Sequence, residues 1–161
     1  MRHSNRIKTL IDSFIVRYRH LPHWESPNSI YFVTSRCLPY IRLDQSQKSI
    51  VLETIKFLNG RKYELYAAVV MDDHFHLIFK PLEPEKGKAF SLSSIMHSIK
   101  SYSAHRIGEK IWMDEYYDRI IRNSNELKRK LHYLIMNPVK AGYVSDPFQY
   151  EWLYIAGDKS L

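Results

Sequence analysis

The sequence predicts an α+β fold built on an antiparallel sheet. Apolar residues at helical spacing alternate along the chain with short runs of β-branched and aromatic residues. Two of the strand-like runs are separated only by Met71-Asp72-Asp73, so one should pair back on the other. The order helix, strand, helix, strand-strand, helix, extended, helix suits a sheet with helices on one face, which would bury the amphipathic stripes.

Each element has its own signal. Residues 5–20 carry Ile7, Leu10, Ile11, Phe14 and Ile15 on one helical face, surrounded by Arg6, Lys8, Arg17, Arg19 and His20. Leu21-Pro22-His23-Trp24 and Ser26-Pro27-Asn28 break that pattern. Residues 29–36 form a strand through Ile30, Tyr31, Phe32, Val33 and Thr34. A helix over residues 45–58 turns Ile50, Val51, Thr54, Ile55 and Leu58 inward and stops at Asn59-Gly60. Strands follow at 63–70 and 74–80, then a Pro/Gly/Lys loop at 81–87. A helix over 91–107 points Leu92, Ile95, Met96 and Ile99 inward and ends near Gly108. Residues 111–122 are extended, with a turn expected at Asp114-Glu115. Ser124 is expected to cap a last helix running to about Met136, with Pro138 beyond its end. The aromatic and Pro-rich C-terminal segment is expected to pack across the surface.

A chain of 161 residues fits one domain, 1–161. Residues 1–23 form a basic helical extension and 143–161 a C-terminal tail. The single cysteine, Cys37, excludes an internal disulfide and a multi-cysteine zinc site and suits a cytoplasmic protein. No stretch approaches the roughly 20 apolar residues of a membrane span. Asp12 and Arg17 interrupt the apolar run near the N-terminus, so it does not read as a signal peptide. Lys and Arg outnumber Asp and Glu by 24 to 17, a net charge of +7 that favours a polyanionic partner, nucleic acid foremost. Twelve tyrosines supply faces on which bases can stack.

Two constellations carry chemistry. In His74-Phe75-His76, alternation along a strand projects both imidazoles from one face and sends Phe75, Leu77 and Phe79 to the core. Two imidazoles on a rigid strand make half of a divalent-metal site; the plain alternative is a pair of solvated surface histidines. In the last helix, Tyr133 and Asn137 are four apart and share a face. A phenol beside an amide oxygen suits phosphoryl transfer, with the metal polarising a phosphate and the tyrosine attacking it. Taken singly, Tyr133 also reads as a core aromatic and Asn137 as a helix-end residue before Pro138.

Together the pieces resemble a family. Met71-Asp72-Asp73-His74-Phe75-His76-Leu77 is similar to the His-hydrophobic-His strand of the HUH endonucleases. Tyr116-Tyr117-Asp118-Arg119-Ile120-Ile121-Arg122 and His132-Tyr133 through Asn137-Pro138-Val139-Lys140-Ala141-Gly142 resemble the REP-associated tyrosine transposases, a branch of the IS200-like single-tyrosine transposases. Leu21-Pro22-His23-Trp24 followed by Tyr31-Phe32-Val33-Thr34 resembles their opening, so the likeness runs from Leu21 to Trp152. It implies a ferredoxin-like antiparallel sheet of HUH type. It implies single-stranded or hairpin DNA as substrate, cleaved to a 5′-phosphotyrosine and a free 3′-hydroxyl. Carried onto this chain, His74, His76 and Asn137 hold Mg2+ or Mn2+, and Tyr133 is the nucleophile. Relatives act as monomers or homodimers. Arg119, Arg122, Lys128, Arg129, Lys130 and Lys140 are the candidate DNA contacts. The competing readings are a non-catalytic DNA- or RNA-binding module and a metal-dependent phosphodiesterase that uses water.

Overall fold

The computed structural model describes residues 2–18 and 29–158. The Leu21–Trp24 motif, the Ser26-Pro27-Asn28 break, Arg19 and His20 lie outside the described residues. The elements are α1 (Arg2–Tyr18), β1 (Ile30–Cys37), α2 (Gln45–Leu58), β2 (Tyr63–Val70), β3 (His74–Pro81), α3 (Leu92–Ile107), β4 (Trp112–Ile121), α4 (Ser124–Lys140) and β5 (Leu153–Ile155). From β1 to β4 this is the βαββαβ order of a ferredoxin-like fold. The sheet runs β4-β1-β3-β2-β5, with every pairing antiparallel. β3, which carries the two histidines, is the central strand.

Local chemistry sets the helix limits. Asp44 and Gln47 close a capping box at the start of α2, with bonds of 2.8 and 2.9 Å. Ser91 caps α3, and Gly108 ends it at φ 98°, where a side chain would be strained. At α4 the cap is Asn123, one residue before the expected Ser124, because its side chain accepts from the Glu126 amide at 2.8 Å.

Four expectations change. Helices cover both faces of the sheet. On one face α2 and α3 pack together, and Tyr63 donates to the Ile55 carbonyl at 2.7 Å. On the other, α4 lies over β3 and β2 with α1 behind it. Both faces of β2 are apolar and buried, so a helix layer on one side alone would leave the other wet. Second, β4 is continuous. Trp112 to Tyr116 stands opposite Cys37 to Ser35, so the irregularity at Asp114-Glu115 is a bulge within a paired strand. Third, α4 runs through Pro138 to Lys140. The proline falls in the last turn, where one hydrogen bond is forgone, and its ring is buried. Fourth, the C-terminal segment enters the core. β5 pairs with β2, Tyr150 donates to the Val70 carbonyl at 2.6 Å, and Trp152 donates to Ser49 at 3.0 Å.

Candidate active site

The site begins with the alternation of β3. Phe75, Leu77 and Phe79 are fully buried on the α2–α3 side, and His76 points the other way, to α4. The face is therefore covered by α4, which removes the reading of two solvated surface histidines. His76 is 4% exposed, stacked on Phe32 at 5.3 Å between ring centres. Its ring lies 4.7 Å from that of His74 and 5.4 Å from that of Tyr133.

Hydrogen bonds orient both imidazoles. The Asp73 carboxylate can only accept, so His74 Nδ1 carries a proton and donates at 2.7 Å, which turns Nε2 away from Asp73. His76 Nε2 accepts from Asn137 Nδ2 at 3.2 Å, so its proton sits on Nδ1, 2.7 Å from Thr34 Oγ1. Burial, together with the charges of His74, Arg36 and Lys130, pushes the His76 pKa down to about 3. The ring is neutral at physiological pH, the form a metal requires.

α4 supplies the rest. Spacings of three and four put Lys130, Tyr133, Asn137 and Lys140 on one side of the helix. Tyr133 is 41% exposed, which removes the core-aromatic reading. Asn137 lies inside the helix, with its amide against His76. The Lys130 and Lys140 ammonium groups stand 5.9 and 5.7 Å from the Tyr133 ring centre.

The donor set fits a divalent ion. Among the described residues, no three His, Cys, Asp or Glu side chains converge. The candidate ligands are thus two imidazoles with fixed tautomers and one amide, which shows its oxygen to the same point when turned over. Asp73 and Thr34 hold the imidazoles from behind.

The expected DNA contacts divide between surfaces. Lys140 stands beside Tyr133. Arg119 lies on the site side of β4, where its Nε donates to Glu126 at 2.8 Å. Arg122 follows β4, its backbone N–H donating to Glu126 at 3.0 Å and its side chain exposed. Lys128 and Arg129 line a separate groove against α1 with Lys8 and His132, and Lys128 pairs with Asp12 at 3.6 Å. The basic strip is not one surface, because successive residues of α4 point in different directions.

Thr34, Asp73, Phe32 and Arg36 were not anticipated as site residues. Phe32, Thr34 and Arg36 alternate along β1, and Thr34 and Arg36 pair with His76 and His74. The alternation was readable; which strand lies beside β3 was not. With Tyr117, Met113 and Glu115 of β4 they line a cleft of about 560 Å3 that opens beside Tyr133.

The His74–His76 pair on a sheet strand, with His76 against a helix-borne tyrosine beside an open cleft, is the arrangement that the sequence resemblance implies for a transposase. The family described as "Transposase IS200 like" matches residues 42–125, half of the chain, and the chain belongs to that family. Within it, the chain is 35% identical over 91 residues to the REP-associated tyrosine transposase of Escherichia coli K12, covering 56% of this chain and 53% of the relative. A Haemophilus influenzae protein is 25% identical over 93 residues, covering 51% of this chain and 53% of that protein. The chain thus spans about half the length of the curated relatives it matches. A solved structure of a REP-associated tyrosine transposase bound to a REP hairpin superposes with a TM-score of 0.68 at 25% identity, covering 80% of this chain and 77% of the other.

Proposed function

We infer that this protein cleaves and rejoins single-stranded DNA through a covalent bond to Tyr133. The observation that carries the reading is the exposed Tyr133 phenol, one helical turn from Asn137 and against His76, in an open cleft. Family membership and the hairpin-bound relative support DNA as substrate.

His74, His76 and Asn137 would hold Mg2+ or Mn2+, which supplies a Lewis acid for a phosphate oxygen. The Tyr133 oxygen attacks phosphorus and loses its proton. The bond from phosphorus to the 3′-oxygen breaks, and that oxygen leaves as a hydroxyl. The product is a 5′-phosphotyrosine, and the reverse step joins a 3′-hydroxyl without ATP. Lys130 and Lys140 stand beside the ring, where their charge can offset that of the bound phosphate. No helix among the described residues is long and apolar enough to cross a membrane.

The test is incubation of the full chain with hairpin and single-stranded DNA from the flanks of its gene, then a denaturing gel. With Mg2+ or Mn2+, a 3′-end label should move with the protein and a 5′-end label should appear on a free shorter strand. EDTA should abolish both. Cleavage without an adduct supports the water-using phosphodiesterase. Retention on a native gel without cleavage supports the binding module.

A further inference from the structure

The cleft beside Tyr133 has two unlike walls. The α4 wall carries Lys130 and the phenol itself, groups that answer to phosphate. The β4 wall carries Met113, Glu115 and Tyr117, and Glu115 is the one acidic side chain among the described residues that line the cleft. A carboxylate repels phosphate, whereas it accepts hydrogen bonds from the amino groups of nucleobases. Tyr117 is 55% exposed and Met113 37%. Met113 and Glu115 stand in the bulge of β4 and Tyr117 on its paired part, and an aromatic surface that stays exposed there suits the flat face of a base. Tyr117 is also held in place. It pairs opposite Thr34, the residue that orients His76, and the next residue on the same face of β4, Arg119, is fixed to Glu126 of α4.

We propose that Tyr117 and Glu115 form a binding site for one unpaired nucleobase, that of the nucleotide immediately 5′ of the cleaved bond. The inference rests on the reading of Tyr133 as nucleophile. Attacking and leaving oxygens lie on opposite sides of phosphorus in an in-line displacement. With Tyr133 on the α4 side, the departing 3′-oxygen points away from α4, toward the open part of the sheet. β1 and β4 form that part, and β4 lies two strand spacings, about 10 Å, from β3. The nucleotide that owns the 3′-oxygen is thereby carried to Tyr117. The ring supplies a stacking face, and Glu115 favours a base with an exocyclic amino group. Holding this base also keeps the freed 3′-hydroxyl near Tyr133 for the reverse reaction.

The test uses the cleavage position mapped by the adduct assay. Single abasic sites are placed at each of three positions on either side of it, and kcat and KM for adduct formation are measured. In the unmodified protein the abasic penalty should peak at the first 5′ position. Tyr117→Ala should raise KM roughly tenfold or more on the intact strand, the scale of one lost base stack. It should also erase the penalty at that position and leave the other positions unchanged. Tyr117→Phe should restore both, since the ring remains. Glu115→Gln should narrow the preference for adenine or cytosine over thymine at that position. A penalty that persists in Tyr117→Ala, or that peaks 3′ of the cut, overturns the proposal. Failure of the unmodified protein to form any adduct would instead overturn the reading of Tyr133, so the two failures are distinct.

Discussion

At His76 a titratable side chain sits buried between Phe32 and Tyr133, with each ring nitrogen engaged. Removing that ring leaves a cavity and strips a partner from Thr34, a cost of about 1–3 kcal/mol before function is considered. His74 is less buried, at 18% side-chain exposure, and its Nδ1 bond is to the half-exposed Asp73. The two histidines therefore make unequal test sites. His74→Ala should weaken Mn2+ binding at least tenfold, read by calorimetry, with thermal stability little changed. His76→Ala should lose both metal binding and stability. Unchanged Mn2+ affinity in His74→Ala would remove His74 from the ligand set. The His-hydrophobic-His alternation was legible because a strand offers its side chains only two faces. The burial of one histidine was not, since that depends on a helix some fifty residues later folding over it.

Among the elements, the turn between β2 and β3 is tied to side chains from α2 and from the segment before it. Asp72 accepts from Lys48 and from Arg42, each at 2.8 Å, and Lys48 Nζ lies 5.9 Å from the Tyr143 ring centre. Burial works to raise the Asp72 pKa, but the hydrogen bonds and charges of Lys48 and Arg42 outweigh it and hold the carboxyl below its ordinary range. Lys48 is itself buried, 4.1 Å from the Trp152 ring centre. Tyr143 arrives through Gly142 at φ 79°, just past α4. The cluster thus joins the turn that leads into the histidine strand to the end of the tyrosine helix. Asp72→Asn should lower stability by about 2–3 kcal/mol in urea unfolding, since Lys48 loses its counter-charge. A depressed carboxyl contributes stability above the ordinary carboxylate range, and that contribution is lost as pH falls through its folded pKa. The margin over Asp72→Asn should accordingly shrink in acid. An unchanged urea midpoint at neutral pH would show that the cluster carries no stability. None of this clustering was legible, because Lys48, Asp72 and Tyr143 are far apart in sequence. By contrast, the limits of α2 and β2 matched because Asp44, Asn59-Gly60 and β-branched runs act locally.

For the whole molecule, the sheet order brings together three stretches that no local signal joins. β3 brings the imidazoles, β4 brings Tyr117, and α4 lays Tyr133 beside the cleft between them. The α+β class and antiparallel pairing followed from element order. The second helix layer and the fifth strand did not, because the aromatic C-terminal segment looked like surface packing until its partner strand was known. The gathered site also leaves Tyr116 and Tyr117 as rivals to Tyr133, since all three line the same cleft, and Tyr117 is the more exposed of the two. The direct measurement is adduct formation on 3′-labelled DNA by the full chain bearing Tyr133→Phe or Tyr117→Phe. Tyr133→Phe removes one oxygen from an exposed ring, so DNA binding should persist while the labelled protein band disappears. Tyr117→Phe should keep the band. A band that survives in Tyr133→Phe and vanishes in Tyr117→Phe would contradict the assignment, and with it the role given to Asn137.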